Sequence, residues 1–527
     1  MTAPPDDHSP HRLLPIQRTK SPRPQTRVNQ PTRSTWLLDA IPGCAILLGL
    51  VVGVCGAIFA PRTTIYVAGG IAFYLALRYI MAAYANVKGL KAIQEADATD
   101  WRAVYASYVS SDAPPDALSW DAVKHVVVIP NYDEPERLLT ETLTHLAGVE
   151  LAATHLIVVL AMEAAEAGSR AKGERLQAAF RDRFAGFEVT VHPQGLDGEM
   201  RCKSANLAWA GRWLADMPDL DAQHAVITVM DADTVWHPAY FTALTYHFAV
   251  DPQRYTRLWQ APIRYHGDIY RIHPAVRAIN AYNTGVELAY LSAPWWPSMP
   301  ISSYSLSWRL LAAADYWDTA VIADEWHMMI KAFFAADGTV QVQPIYLPFT
   351  AKATGGDTLW ATVKNRYRQS LRHSWGSKEV GYTLGQAMRS PRTPLRRWVP
   401  LFIGVAHDVL VAGGGWVFVT VGAQLPLLIH PEIRMEMLNR GLIYPQTLLL
   451  EVSLLLSIVL AVTFLTLDVR TRPAYPGLPD TRERLQAMLG ILLLPVFAIV
   501  FVTIPILHAQ MMLLLGRELS FDVTEKQ

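Results

Sequence analysis

The chain has 527 residues, with 46 Lys plus Arg against 46 Asp plus Glu and so no formal net charge; 51% of its residues are hydrophobic and only 17% charged. Without a large positive field to draw in a polyanion it does not read as a nucleic-acid binder, and the apolar excess points to membrane segments around a folded domain. Three cysteines, Cys44, Cys55 and Cys202, are too few for a disulfide framework, and a reducing, cytoplasmic setting for the polar part is compatible with them.

Residues 1–35 are rich in Pro, Arg, Thr and Ser, have little to bury, and are expected to form a disordered basic tail. Within 36–86, the apolar stretches 36–60 and 64–84 are each long enough to cross a hydrocarbon core of ~30 Å as helices. Within 398–516, stretches 399–429, 443–467 and 485–515 add three transmembrane or interfacial candidates, followed by a short tail, 517–527. In the last of these, Pro495 and Pro505 allow a hairpin or an interfacial piece instead of a span. Arg12, Arg18, Lys20, Arg23, Arg27 and Arg33 precede the first span, whereas only Arg62 lies between the first two. The positive-inside rule then puts the amino terminus and the central block in the cytoplasm, on a multi-pass protein of the bacterial inner or plasma membrane type. Arg470, Arg472, Arg482 and Arg484 mark the loop 468–484 as internal too.

The central block, 120–390, changes pattern. Short β-branched runs at 126–130, 156–160, 187–191 and 225–230 alternate with helical stretches at 135–146, 164–184 and 204–215, which predicts an α/β domain with a mainly parallel sheet. Ligands of such sheets bind beyond the carboxyl ends of the strands. Asn131, Tyr132, Asp133, Glu134, Glu163, Asp231 and Asp233 all fall there. The pair Asp231 and Asp233, one residue apart, suits a hard cation, Mg²⁺ or Mn²⁺, held against a diphosphate, although the same pattern also forms a solvated turn. Asp133 ahead of Pro135 equally suits a helix start, and Lys203, before the helix 204–215, either approaches a phosphate or is a solvated loop lysine.

The order of motifs resembles the membrane-bound family 2 glycosyltransferases with a GT-A fold, the group that includes cellulose, chitin and hyaluronan synthases. The resemblance covers about residues 124–378 and rests on six pieces: Ile129-Pro130-Asn131-Tyr132-Asp133-Glu134-Pro135, Glu163, Lys203-Ser204-Ala205-Asn206, Asp231-Ala232-Asp233, Asp324-Glu325-Trp326 and Gln369-Ser370-Leu371-Arg372-His373. It implies a GT-A domain inserted between transmembrane helices, acting as an inverting transferase on a nucleotide sugar, UDP-linked first among the options. The acceptor is a glycan or a lipid, and a membrane partner subunit or a second copy is compatible with it. Nucleotide-sugar contacts would fall to Asp133, Glu134, Glu163, Lys203, Asn206, Asp231, Gln369 and Arg372, and the metal to Asp231 and Asp233. The general base is Glu325 by position, with Asp324 as the preceding acid or as its substitute.

Two departures from the family pattern stand out. The usual Thr-Glu-Asp is here Ala323-Asp324-Glu325, with the carboxylates in reversed order. His373 replaces the Trp that normally offers a face to the acceptor sugar, which weakens the case for a long-chain processive polymerase; Trp375 is a candidate substitute. Acceptor-side contacts are expected from Gln260, Tyr304, His373 and Trp375, and interface packing from Trp295 and Trp296. His407 and Asp408, costly in lipid, are expected to face protein or a water-filled passage. The alternative reading is a non-catalytic sugar-nucleotide scaffold or sensor in which the reversed acids have lost turnover.

Overall fold

The computed structural model describes residues 33–112, 116–217, 220–353, 355–356, 358–440, 445–473, 481, 485, 488–490 and 493–519. The tail arginines from Arg12 to Arg27, Lys20, and the loop residues Arg482 and Arg484 lie outside the described residues.

Among the described residues nine strands follow one another: β1 (Lys124–Pro130), β2 (Leu156–Glu163), β3 (Gly186–His192), β4 (Ala225–Val229), β5 (Arg257–Gln260), β6 (Ile263–Gly267), β7 (Tyr304–Ser307), β8 (Gln341–Pro344) and β9 (Phe349–Lys352). Seven of them form a sheet in the order β3-β2-β1-β4-β7-β5-β8, and β6 pairs with β9 in a small second sheet. All neighbours run parallel except β7, which is antiparallel to both β4 and β5. This is a mixed α/β sheet of the GT-A kind.

The apolar run of β1 explains its central place. Successive side chains point to opposite faces, so Val127 and Ile129 join Leu139 and Leu143 on one side while Val126 and Val128 join Leu207 and Leu214 on the other. Both faces are covered, as a parallel sheet requires. The reversal of β7 matters more for function. Because Val229 at the end of β4 pairs with Tyr304 at the start of β7, the loop entering β7 reaches the same sheet edge as Asp231 and Asp233.

Among the described residues, four helices are long and apolar enough to cross a membrane: Ile41–Phe59, Pro61–Asp97, Leu448–Thr471 and Val496–Leu514. The second has 37 residues, and at ~1.5 Å per residue it exceeds a hydrocarbon core of ~30 Å. It therefore runs past the expected end at Tyr84 to meet the helix Pro274–Ser292, where Asn86 Nδ2 donates to the Gly285 carbonyl at 2.7 Å.

The expected third span, 399–429, is helical throughout and contains a π-helical turn. It divides into Leu395–Leu410, a π-helical turn Val411–Gly415, and the shorter Trp416–Ile429. The first part buries Leu401, Val405 and Val409 against the domain core, so its apolar face is spent on protein. Asp408 there accepts from Trp296 Nε1 at 3.2 Å and lies 3.5 Å from Arg78, in keeping with its expected protein-facing position. Around Pro505, a π-helical turn Ile499–Thr503 leads directly into the helix Ile504–Leu514 in place of a hairpin. Residues 33–35, assigned to the tail by composition, begin the helix Arg33–Asp39.

Gly89 lies where the long second helix crosses Pro274–Ser292, and a Cβ there would fall 2.7 Å from Leu288 Cδ1. Gly89→Val is expected to lower stability by about 1–3 kcal/mol through overpacking, read as a lower midpoint of unfolding in detergent. An unchanged midpoint would show that the two helices do not hold this crossing.

Candidate active site

The site forms where the carboxyl ends of β1, β2 and β4 meet two helix starts. Lys203 opens the helix Lys203–Ala215, and Asp324 opens the helix Asp324–Ala335. The Lys203 ammonium joins these elements: its Nζ is 2.9 Å from Asp231 Oδ1, 3.6 Å from Asp324 Oδ1 and 3.8 Å from Glu325 Oε1. Carboxylates more than ninety residues apart in sequence thus share one cation. Burial would lower the Lys203 pKa, but Asp231, Asp324 and Glu325 override it and hold the ammonium well above its usual range. Burial raises the Asp324 carboxyl, against the pull of Lys203. Burial and the neighbouring Asp324 also push Glu325 up, to about 8.

Asp231 is fixed from a second direction. Ser302, with φ at +59°, donates its hydroxyl to Asp231 Oδ2 at 2.6 Å, and its carbonyl accepts from Lys203 Nζ at 3.3 Å. A non-glycine residue in the left-handed region is held there by its surroundings. Gln260 supplies them: its Oε1 accepts from Ile301 N at 2.9 Å and its Nε2 donates to the Ser303 carbonyl at 3.2 Å. Gln260, 1% exposed, therefore supports the loop from behind and does not face an acceptor. Tyr304 is corrected in the same way: it is fully buried and its hydroxyl accepts from Trp317 Nε1 at 2.8 Å.

Other expected contacts divide between the cleft and the frame. Asn206 is buried and its Nδ2 donates to the Ala161 carbonyl at 2.8 Å, tying the Lys203 helix to β2. Glu163 ends β2 with its Oε2 3.0 Å from His192 Nδ1, while Glu199 Oε2 lies 2.8 Å from His192 Nε2. Burial would lower His192, but Glu163 and Glu199 raise it to about 9, so at neutral pH it is an imidazolium donating to both. Asp133, exposed and at a φ of +59°, has its backbone N–H on Glu166 Oε2 at 3.0 Å. Lys172 Nζ donates to the Glu134 carbonyl at 2.8 Å and pairs with Glu166, so the turn after β1 is pinned with the Asp133 carboxylate outward.

Gln369, Arg372 and His373 lie in the helix Leu359–Ser374. His373 opens to solvent but is walled by protein; that crowding, then Arg372 and Arg366, lower its pKa to about 4, with Asp231 opposing. The charge of Asp231 thus reaches this helix. Trp375 is buried with Leu371, Ala509 and Leu513 on the last apolar helix, so it docks the domain on a membrane segment and presents no face to a sugar.

Three residues here escaped the sequence reading: Ser302, His192 and His327. His327 Nδ1 is 3.1 Å from Glu379 Oε1 and its Nε2 2.9 Å from Asp318 Oδ2, which anchors the acid-bearing helix to Lys378–Arg389. Burial lowers His327, and Glu379 and Asp318 raise it to about 9. Position at the end of β3 was a usable signal for His192; nothing in the sequence pairs His327 with Glu379.

Among the described residues no group of three or more His, Cys, Asp or Glu is placed to hold a metal. The donor set still fits Mg²⁺ or Mn²⁺, because such ions commonly take only one or two protein carboxylates and complete their shell with substrate phosphates and water. Asp233, 4% exposed, lies two residues past Asp231 beyond the end of β4, on the same side of the sheet as the Lys203 cluster.

Two family models match, one described as glycosyl transferase family group 2 over residues 226–505 and one as glycosyltransferase like family 2 over residues 124–257. The chain belongs to glycosyl transferase family group 2. Solved structures similar to this family group 2 protein include the mannosyltransferase PcManGT from Pyrobaculum calidifontis, in complex with GDP-Man and Mn²⁺. That likeness has 16% identity and a TM-score of 0.45, covering 81% of this chain and 99% of the other. Another is residues 1–349 of TarS from S. aureus with UDP-GlcNAc, at 12% identity and a TM-score of 0.31, covering 60% of this chain and 93% of the other. Among curated proteins none matches.

Removing the shared cation leaves the family group 2 acids uncompensated. Lys203→Met is expected to destabilise the fold at neutral pH by about 3–5 kcal/mol. Carboxyls held above their unfolded values cost stability once pH exceeds those values, and the cost disappears as they protonate. The gap from wild type should therefore narrow as pH falls toward 4, followed by unfolding at several pH values. A gap independent of pH would mean that Lys203 acts by packing alone.

Proposed function

We propose that the protein is a membrane-bound inverting glycosyltransferase that moves a sugar from a nucleoside diphosphate, UDP foremost, to a polysaccharide or lipid-linked acceptor. The observation that carries this reading is the Lys203 contact with Asp231, Asp324 and Glu325, which joins the strand-end carboxylates to the acid-bearing helix. Asp133 and Glu134 at the end of β1 would meet the nucleoside. Arg372 suits bidentate bonds to the diphosphate, and Lys203 supplies a compact cation beside it. Asp233, with Asp231, would hold Mg²⁺ or Mn²⁺, which when bound neutralises charge on the departing diphosphate.

Glu325 is the proposed base. Its side chain is 22% exposed against 3% for Asp324, so of the two acids it is the one an acceptor hydroxyl can reach. As that oxygen forms its bond to the anomeric carbon and the bond to the diphosphate breaks, its proton passes to Glu325. One base and no second carboxylate nucleophile give a single displacement with inversion. The four apolar helices keep this chemistry at a membrane, as expected for a bilayer-associated acceptor.

The test is release of UDP or GDP by detergent-purified protein from a panel of donor sugars with Mn²⁺. Asp233→Asn and Glu325→Gln should each cut turnover roughly 100-fold or more. A base must be ionised, so the wild-type rate should climb with pH and level off above about 8, the value to which Glu325 is raised. Donor binding without turnover in the wild type would replace this reading with a sugar-nucleotide sensor.

A further inference from the structure

A second polar cluster lies within electrostatic reach of Glu325 and is unused by the reaction above. Tyr265 on β6 donates its hydroxyl to Glu287 Oε1 at 2.9 Å, and Glu287 lies on the helix Pro274–Ser292. Arg366, on the helix Leu359–Ser374, acts electrostatically on both Tyr265 and Glu287, and its Nη1 donates to Gln369 Oε1 at 2.9 Å. The charge of Glu325 is felt at Tyr265 as well. Three elements thus bring polar side chains to the neighbourhood of the proposed base, and Tyr265 and Glu287 both keep partial exposure.

What marks this cluster is its unmade hydrogen bonds. Asn280 Nδ2, Thr284 Oγ1, Glu287 Oε2 and Arg366 Nε are buried atoms with no partner. Asn280, Thr284 and Glu287 are spaced four and then three residues apart, so they form one stripe along their helix. Asn280 is 2% exposed, Thr284 1% and Arg366 7%. Buried polar groups are nearly always satisfied, so such a row next to a reaction centre calls for a ligand with many hydroxyls.

We infer that Tyr265, Thr284, Glu287 and Arg366 form the subsite that receives the hydroxyl groups of a glycan acceptor beside Glu325. This rests on the transferase reading for its role, though not for its binding. Asn280 would extend the stripe along the helix. Burial pushes the Glu287 carboxyl up to about 8, against Tyr265 and Arg366, so near neutral pH its second oxygen carries a proton to donate. A set of hydroxyl, amide, protonated carboxyl and one guanidinium matches sugar hydroxyls. Arg366 alone in this set carries a full positive charge, so an anionic headgroup would depend on it far more than a sugar would.

The test uses full-length protein in detergent with short manno-, gluco- and N-acetylglucosamine oligosaccharides and, separately, a polyprenyl phosphate. Binding is read by saturation-transfer NMR and transfer by nucleotide release. One oligosaccharide class should bind the wild type, and Glu287→Ala and Thr284→Val should each weaken it about tenfold, the loss of one hydrogen bond. The acceptor KM should rise by the same factor with the donor KM retained, and Glu287→Gln should restore part of the loss. Failure of every oligosaccharide to bind, or binding indifferent to both variants, would overturn the subsite. Polyprenyl phosphate binding sensitive to Arg366→Gln but not to Glu287→Ala would overturn the glycan assignment. Sugar binding lost in the variants, without nucleotide release by the wild type, would uphold the subsite and reject the transferase reading.

Discussion

The site depends on one ammonium among three carboxylates. Asp231 arrives from the end of β4, Asp324 and Glu325 from the start of a helix almost a hundred residues later, and Lys203 is the group that touches all three. In a poorly solvated setting such groups could not share a space without it, since each added like charge raises the pKa of its neighbours. Three acids against one cation still leave the cluster short of positive charge, and Asp324 and Glu325 show this by holding their protons more tightly than usual. A site in that state is prepared for more cationic partners. In the proposed reaction these are the divalent ion that accompanies the diphosphate and the Arg372 guanidinium.

The sheet makes that convergence possible by reversing one strand. Were β7 parallel to β4, the Ser302–Ser303 loop would open at the far edge and Asp231 would lose its second support. With β7 antiparallel, the loop arrives beside Asp231, and the buried Gln260 amide fixes its backbone. Membrane elements enter the same frame. Trp375 seats the Gln369–His373 helix on the last apolar helix, and His327 ties the acid-bearing helix to Lys378–Arg389.

The order of strands and helices through β4 was legible because each run was long, apolar and bounded by polar turns. The positions of Asp231 past a strand end and of Lys203 and Glu325 at helix starts were legible from the same pattern. Gln260 and Tyr304 were misread for a specific reason. Every residue of β5 and β7 is buried, so no alternation distinguishes a wall of the cleft from the core behind it. The π-helical turn Val411–Gly415 inside 399–429 was not legible, because a window average of hydropathy does not register one. Tyr265, Glu287 and Arg366 come from three separate elements, and only folding places them together.

The reversed acids look like a defect in sequence and less so in space. Asp324, the shorter, is the first residue of its helix and sits buried, 3.6 Å from Lys203. Glu325, the longer, takes the more open position. Reversal of the two side chains therefore exchanges their lengths in step with their depths, and the short buried acid and the long outer one can each serve without displacing the other. This is why the outer acid, Glu325, carries the proposed proton transfer while Asp324 remains bound to the Lys203 cluster that holds both.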